Sequence, residues 1–363
     1  MDLYIRFAAR EKAIPLRGTF ELTPLCNLNC KMCYVHMSAD LFKASGKKLL
    51  TGTQWKHIMS QAVDAGMLYS TLTGGEALSH PDFNEIFQYL QSQGVSITLK
   101  SNGLLLDEER MAYFAKHPPQ GIQMTLYGSD DETYEKVTGR RCFQNVIDAI
   151  KRVNSSGIPL HVSITPNRYM LGNIGKTLAL LEDMGVDYGI NSSLIQPREE
   201  TGRALEDSDL TLDEYIDLYK ENAAMRNQLL TPVCAEDIPN QPTSAAPMVG
   251  LPCSAGRNSF SVHWDGRMYP CLSLPDVGAD LTVVSFPEAW NAVHEAVRQH
   301  PFPGECMTCK LRPLCPPCVV EHAPNGYAEH ANPAICEKAK RLFQEGLINN
   351  TNIKEDKQNE ETV

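Results

Sequence analysis

The sequence predicts an α/β protein with a parallel sheet, followed by a small cysteine-rich region. Two observations support this prediction. Between about Phe20 and Gln196, short apolar runs alternate with segments of helical periodicity. From Leu251 onward, prolines and cysteines are frequent and little periodicity remains. Strand–helix alternation predicts parallel strands joined by right-handed crossovers, arranged as an open sheet or a barrel.

Strands and helices of the first region can be placed by periodicity. The strand-like runs are Thr19–Leu25, Leu68–Thr73, Val95–Ser101, Gly121–Tyr127, Leu160–Thr165 and Tyr188–Leu194. Apolar residues at helical spacing follow Trp55, Phe83, Val146 and Leu178, and glycines end the first two of these segments. This spacing and the terminal glycines are typical of amphipathic helices.

Composition changes along the rest of the chain and suggests its organisation. Two acidic helix-like pieces, Leu212–Lys220 and Glu221–Leu229, precede a stretch rich in Pro, Ser and Ala, which reads as a linker. The C-terminal residues are polar, as is typical of disorder. We therefore expect an N-terminal arm at 1–18, the α/β domain at 19–205, a bridge and linker at 206–250, the cysteine-rich domain at 251–345 and a disordered tail at 346–363.

Overall composition excludes several classes of protein. The 363 residues are 42% hydrophobic and 21% charged, as in ordinary soluble globular proteins. The net charge of −11 argues against nucleic acid or anionic membranes as partners. The N-terminus has no signal-peptide pattern, so we expect a cytoplasmic protein. Twelve cysteines in a reducing compartment favour metal or cluster ligation over disulfides.

Three cysteines after the first strand carry the main functional signal. Cys26, Cys30 and Cys33 follow the spacing C-x3-C-x2-C on one short loop. Three thiolates can hold three irons of a [4Fe–4S] cluster and leave the fourth iron open to a substrate. The alternative is three ordinary cysteines, either buried or bound to zinc. Structural zinc usually takes four ligands, with cysteine pairs spaced C-x2-C.

Polar segments also end the second and third strands. Thr73 is followed by Gly74, Gly75 and Glu76, which combine close backbone approach with a carboxylate that can accept from an ammonium group. Ser101, Asn102 and Gly103 end the third strand, where a simple Asn-Gly turn is the alternative. Carboxyl ends of parallel strands are where active sites of barrels gather.

Together these segments resemble the signature of the radical S-adenosylmethionine enzymes. The resemblance implies a partial (β/α)6 barrel, similar to a TIM barrel, whose cluster binds S-adenosylmethionine through the open iron. It also implies contacts to that molecule. The amino group would bind Gly74, Gly75 and Glu76, and the ribose would contact Ser101 and Asn102. The carboxylate would pair with Arg140 or Arg141. The adenine would contact the backbone of Met32, and Tyr34 would stack on it. Cys142 is expected to be a spare thiol packed in the barrel.

The C-terminal region holds a second set of seven cysteines. They are Cys253, Cys271, Cys306, Cys309, Cys315, Cys318 and Cys336. Between the first two, His263–Met268 reads as a hairpin with a two-residue turn, in which Asp265 and Gly266 suit type I′. The pairs spaced C-x2-C can close around clusters in a domain too small to have much core. The alternative is two zinc sites in a binding module.

This pattern resembles the SPASM domain of enzymes that mature peptides and proteins. The resemblance implies two auxiliary [4Fe–4S] clusters. The first would take Cys253, Cys271 and Cys318, and the second Cys306, Cys309, Cys315 and Cys336. A fourth ligand of the first cluster is missing from its usual place. Either Cys234 supplies it from the bridge, or one iron stays open for a substrate atom.

The two resemblances predict a radical S-adenosylmethionine peptide maturase. It would abstract hydrogen from a residue of a ribosomally made peptide and form a thioether or C–C cross-link, or epimerise that residue. Expected partners are the precursor peptide or small protein, a reductant such as flavodoxin or ferredoxin, and a separate leader-binding protein. An anaerobic sulfatase-maturing enzyme is an alternative, although Leu272 stands where those enzymes carry an Asp. A non-catalytic iron–sulfur carrier or scaffold is another.

Overall fold

The computed structural model describes residues 3–191, 193–225, 253–274, 277–300, 303–309, 311, 315, 318 and 330–347. Within them, a nine-stranded sheet has the order β6-β5-β4-β3-β2-β1-β7-β8-β9. Its strands are β1 Arg17–Glu21, β2 Tyr69–Thr73, β3 Ser96–Ser101, β4 Gly121–Thr125, β5 Leu160–Ile164, β6 Tyr188–Ile190, β7 Ser259–Val262, β8 Arg267–Tyr269 and β9 Ala279–Asp280. Strands β1 to β6 are parallel neighbours in chain order, and all six predicted strands are confirmed.

Helices connect these strands and cover one face of the sheet. They are α1 Leu3–Glu11, α2 Ala39–Ala44, α3 Gly52–Asp64, α4 Phe83–Ser92, α5 Glu108–Lys116, α6 Asp131–Thr138, α7 Phe143–Ser155, α8 Ile174–Asp183, α9 Leu212–Glu221, α10 Phe286–Gln299, α11 Gly304–Thr308 and α12 Pro333–Gln344. The four predicted barrel helices correspond to α3, α4, α7 and α8. The first acidic piece of the bridge is α9, whereas the second, Glu221–Leu229, lies mostly outside the described residues.

The two faces of the parallel sheet differ in polarity. Phe20, Leu72, Leu99, Met124 and Ile164 are fully buried and belong to the core that the helices share. Alternate residues of a strand point to opposite faces, so their neighbours in sequence face the other side. That other face is mostly polar and only partly buried on β2 to β4, as is typical of the inside of an open barrel.

The cysteine-rich region extends the barrel sheet, a feature the sequence did not indicate. Strand β7 pairs in parallel with β1, so that Phe20 lies opposite Val262. Rings of Phe20 and Phe260 meet edge to face at 5.8 Å, and Phe260 meets Phe286 of α10 at 5.1 Å. The C-terminal region therefore packs against the barrel core, which compensates for the small core of its own.

The expectation of little periodicity after Leu251 is wrong for one long segment. Helix α10 spans 14 residues. It buries Phe286, Ala289, Trp290, Val293 and Val297, which recur at helical spacing. Ser285 caps it in a capping box with Glu288, a start signal that was present in the sequence.

The predicted type I′ turn is also wrong. The β7–β8 loop has three residues, Trp264, Asp265 and Gly266, closed by a hydrogen bond of 2.9 Å from the Gly266 amide to the His263 carbonyl. Gly266 has a φ of +88°, whereas Asp265 does not have a positive φ. A type I turn followed by a left-handed glycine is the usual three-residue hairpin, so the glycine follows the turn.

Candidate active site

The three N-terminal cysteines lie on the loop that leaves the carboxyl end of β1. Cys30 is buried, while Cys26 and Cys33 are partly exposed. Burial raises the pKa of all three thiols, that of Cys26 to about 12, and each is also raised by a neighbouring negative group. Backbone amides of Leu28 and His36 donate to the sulfurs of Cys26 and Cys33, both at 3.4 Å.

This arrangement fits an iron–sulfur cube. Cys30 is close enough to Cys26 and Cys33 for each charge to raise its pKa. Yet among the described residues no three His, Cys, Asp or Glu side chains converge on a point that could hold a single ion. A cube needs thiolates on separate irons, and N–H donors to their sulfurs are a common feature of such sites.

Two side chains that the sequence did not single out support this loop. The Arg203 guanidinium donates to the Cys30 carbonyl and to the Asn29 side chain, and lies 2.7 Å from Nδ1 of His36. Tyr127, just beyond β4, shares a side-chain hydrogen bond with Cys30. Since Arg203 comes from the segment after β6, periodicity gave no sign of this contact.

The paired glycines after β2 are required by the cysteine loop. A Cβ at Gly74 would lie 2.4 Å from the Thr23 carbonyl oxygen, and one at Gly75 would lie 2.3 Å from that of Leu25. The amide of Gly75 donates to Thr23 at 2.7 Å, and the Glu76 amide donates to Leu25 at 3.0 Å. The glycines thus bring the carboxylate-bearing segment against the loop that carries the cysteines.

The Glu76 carboxylate is only 1% exposed and is held by three protein donors. One oxygen accepts from the Leu78 amide at 3.1 Å, and the other from the Ser101 hydroxyl at 3.1 Å and the Asn102 amide at 2.9 Å. Burial raises its pKa, and these hydrogen bonds oppose the rise. A carboxylate offers about four acceptor sites, so one is left for an ammonium donor.

Asn102 and Arg140 both reach the cysteine loop. The side-chain nitrogen of Asn102 (Nδ2) donates to the Asn27 side-chain oxygen at 2.6 Å and to the Cys26 sulfur at 3.5 Å. Arg140 donates to the Asn27 carbonyl at 3.0 Å. Arg141 instead pairs with Glu135 at 2.9 Å on the surface. Of the two candidate arginines, only Arg140 therefore contacts this loop.

Met32 and Tyr34 lie on either side of Cys33 and have different surroundings. Met32 is 6% exposed and belongs to the core. Tyr34 shares a hydrogen bond with Glu21, and the Arg198 guanidinium lies over its ring at 5.4 Å. One face of the ring is thus used within the protein, and stacking on adenine stays a prediction for the other.

A buried ion pair that sequence reasoning missed joins the barrel to the hairpin. Arg198 binds Glu21 at the end of β1 through two bonds, at 2.8 and 2.9 Å, and contacts His263 at 3.0 Å. The side chain of Glu21 is 0% exposed and that of Arg198 8%. Burial lowers the pKa of His263 to about 2, so that His263 is neutral. The sequence did contain a signal of this pair, because Glu21 is a charged residue within the apolar run around Phe20.

Three cysteines of the C-terminal region lie near one another. Cys253 and Cys271 pack against the same small apolar cluster. Burial, together with the charges of Cys253 and Cys318, raises the pKa of Cys271 to about 12. This is the trio expected for the first auxiliary cluster, whereas Cys234 falls outside the described residues. Cys142 is 5% exposed within the barrel core, as predicted for a spare thiol.

The second expected set keeps its predicted status. Cys306 lies in α11 and Cys336 in α12, and Cys309 is exposed. Their assignment to one cluster rests on sequence spacing.

Comparison with known proteins identifies two families along the chain. Residues 20–188 match the Radical SAM superfamily, and residues 253–318 match the iron–sulfur cluster-binding domain SPASM. The predicted α/β fold with a cysteine-rich domain is thereby confirmed. Such domains bind a [4Fe–4S] cluster with S-adenosylmethionine and auxiliary iron–sulfur clusters, respectively.

Full-length relatives extend this similarity. The chain is 24% identical over 322 residues to the AdoMet-dependent heme synthase of Methanosarcina barkeri, covering 82% of this chain and 89% of the relative. It is 25% identical over 337 residues to the antilisterial bacteriocin subtilosin biosynthesis protein AlbA of Bacillus subtilis, covering 84% and 69%. Streptococcus suis SuiB bound to S-adenosylmethionine superposes with a TM-score of 0.66 at 17% identity, over 92% of this chain and 81% of SuiB. That structural likeness shows the fold.

Not one of the described helices is both long and apolar enough to cross a bilayer.

Proposed function

We propose that this chain, a radical S-adenosylmethionine enzyme with a C-terminal SPASM domain, modifies a residue within a peptide or small protein. The observation that carries the proposal is the loop of Cys26, Cys30 and Cys33. This loop is hydrogen-bonded to the glycine segment after β2 and to Asn102 after β3. A second set of thiols, those of Cys253 and Cys318, lies near Cys271. A radical site combined with a cluster-binding domain suits oxidative chemistry on a peptide.

Residues of the chain hold the cofactors and orient them. Cys26, Cys30 and Cys33 would ligate the first cluster, and the free acceptor site of Glu76 would receive the amino group of S-adenosylmethionine. When bound, these groups supply a 5′-deoxyadenosyl radical that removes a hydrogen atom from the substrate. Arg140 is the candidate for the carboxylate because its guanidinium already reaches the loop.

Contacts to adenine and ribose complete the proposed site for S-adenosylmethionine. Met32 would contribute its backbone, and Tyr34 the ring face opposite Arg198. Ser101 and Asn102 would contact the ribose, held in place by their bonds to Glu76. The same bonds keep the ends of β2 and β3 together around the cysteine loop.

The C-terminal thiols would hold the auxiliary clusters. Cys253, Cys271 and Cys318 are proposed for the first, with Cys234 as fourth ligand or an iron open to a substrate thiolate. Cys306, Cys309, Cys315 and Cys336 are proposed for the second. An open iron favours thioether formation, because a cysteine of the peptide could bind it. The clusters would accept the electron that the product radical gives up.

The relatives support a peptide as substrate, and the other partners are proposed from the chemistry. The subtilosin biosynthesis protein supports a ribosomal peptide as substrate, modified by a thioether or C–C cross-link or by epimerisation. A flavodoxin or ferredoxin would supply electrons, a separate protein would bind the leader, and the cytoplasm would keep the cysteine thiols reduced. Formylglycine formation is disfavoured, because Leu272 offers no carboxylate and its carbonyl accepts from Arg198 at 3.4 Å.

A second candidate function is chemistry on a tetrapyrrole. It is favoured by the similarity to the heme synthase of Methanosarcina barkeri, which covers 89% of that enzyme. The two candidates differ in the molecule that must bind beside the cluster.

Anaerobic co-expression with a peptide from a neighbouring reading frame, followed by mass spectrometry, tests the main proposal. Loss of two hydrogen masses indicates a cross-link, and uptake of solvent deuterium without other mass change indicates epimerisation. The variant with Cys26, Cys30 and Cys33 replaced by Ala should leave the peptide unmodified, whereas Cys142→Ala should modify it normally. An unmodified peptide together with conversion of a porphyrin would favour the second candidate.

A further inference from the structure

On the polar face of the parallel sheet, Lys100 is a cation without a partner among the described residues. Lys100 occupies the next-to-last position of β3, on the face opposite Leu99, and pairs in register with Gln123 of β4. Because carboxyl ends of neighbouring parallel strands meet at one edge, Lys100 lies at the mouth of the open barrel, beside the loops that carry the cysteines and Glu76. Other polar side chains of this edge, such as Thr73, Thr125 and Ser163, are neutral.

No described residue pairs with the Lys100 ammonium. Neither a hydrogen bond nor an ion pair is formed by this group in the described part of the chain, although acids outnumber bases by 44 to 33. The side chain is exposed, yet desolvation alone lowers its pKa, and no carboxylate opposes that effect. On the inner face of the open barrel, the ammonium therefore lies where both water and protein atoms surround it.

A cation that protein atoms partly desolvate attracts a carboxylate more strongly than a cation in open water does. By contrast, Glu21, which ends β1 two strands away on the same face, is fully paired with Arg198. Lys100 is thus a charge, unpaired among the described residues, that an incoming molecule would meet at this edge. We propose that Lys100 binds a carboxylate of the peptide substrate, so that the enzyme selects peptides with Asp, Glu or the C-terminus near the modified residue.

The carboxylate of S-adenosylmethionine is the other possible source of this chemistry. The side-chain directions of β3 favour the peptide. Ser101 follows Lys100, points to the opposite face and binds Glu76, the residue proposed for the amino group. Lys100 therefore faces the open side of the sheet, from which a substrate enters.

This inference rests on the proposed peptide substrate, and a selection experiment separates the two. A random peptide library displayed on its encoding nucleic acid is selected by the reconstituted enzyme, without air and with S-adenosylmethionine. The wild type should enrich peptides with Asp or Glu at a fixed place, and Lys100→Met should lose that enrichment. Lys116→Met, which removes an exposed lysine at the end of α5, is the matched control and should behave as the wild type.

Binding constants complete the test. A selected, fluorescently labelled peptide should bind Lys100→Met about 10- to 100-fold more weakly, as expected for loss of a charged hydrogen bond. Exchange of its acid for the amide should weaken binding to the wild type similarly, without further loss in Lys100→Met, and Lys100→Arg should retain part of the affinity. The affinity for S-adenosylmethionine should not change, which also shows that Lys100→Met is folded.

Several results would overturn the inference. They are equal acid enrichment by wild type and Lys100→Met, no acid enrichment by the wild type, or weaker binding of S-adenosylmethionine alone by Lys100→Met. Failure of the wild type to select any peptide while it still cleaves S-adenosylmethionine would refute the peptide substrate itself.

Discussion

Replacing Arg198 with Met should strongly destabilise the junction between the barrel and the hairpin. The substitution removes two charged hydrogen bonds from Glu21, whose side chain is fully buried. In the wild type, burial and the Arg198 charge lower the pKa of His263 to about 2, so His263 adds no positive charge beside Glu21. Breaking a buried ion pair from one side costs about 3–5 kcal/mol, and this site should lie in that range.

The penalty should also depend on pH in a defined direction. Burial raises the pKa of Glu21 and Arg198 opposes that rise, so the pKa will be higher still in Arg198→Met. Stability from such a raised pKa is fully present below the pKa of the unfolded chain and is lost as pH rises through the folded value. The loss can reach about 1.4 kcal/mol per pH unit in that window. Arg198→Met should therefore lose stability, relative to the wild type, as the pH rises above the unfolded Glu value of about 4.3, and its penalty should be larger at pH 7 than at pH 5.

Urea unfolding of the anaerobic holoenzyme, followed by tryptophan fluorescence, measures these free energies. The double variant Glu21→Leu/Arg198→Met should recover much of the loss, because it leaves no unpaired buried charge. Arg141→Met removes an exposed ion pair and should cost much less. The reasoning is refuted if Arg198→Met costs no more than Arg141→Met, or if its penalty is the same at both pH values.

Three further predictions concern the clusters. Asn102→Ala removes an N–H donor to the Cys26 sulfur and should lower the reduction potential of the first cluster, measured by EPR titration; an unchanged potential contradicts this. Gly75→Ala should lower the iron content, because its Cβ would meet backbone at 2.3 Å, while Gly304→Ala, where nothing lies within 4 Å, should retain full iron. Cys271→Ala should lose one auxiliary cluster and keep S-adenosylmethionine cleavage, whereas Cys142→Ala should lose no iron; equal iron in both would argue against the assignment.

Much of the barrel could be predicted from the sequence because its strands and helices are strongly periodic. Predicted strands ran past the observed ends where loop residues follow directly, as at Leu22–Leu25. Those residues continue an apolar pattern, but they belong to the cysteine loop. Helix α10 was missed although Phe286, Trp290 and Val293 show helical spacing, since the many prolines and cysteines nearby dominated the interpretation.

Local spacing also identified the residues of the site but not their partners. The cysteines and Glu76 could be found from their spacing along the chain. The contacts of Arg198 with Glu21 and of Arg203 with Cys30 join residues more than 170 positions apart, and a single sequence does not encode such pairs visibly. For the same reason, the pairing of β7 with β1 became evident only in the structure.

Release of 5′-deoxyadenosine tests the central claim most directly. The protein, purified without air and reconstituted with iron and sulfide, is reduced with dithionite in the presence of S-adenosylmethionine. We predict a [4Fe–4S] EPR signal that changes when S-adenosylmethionine is added, together with release of 5′-deoxyadenosine that is lost when Cys26, Cys30 and Cys33 are replaced by Ala. Zinc in place of iron and no 5′-deoxyadenosine from the wild type would contradict the account.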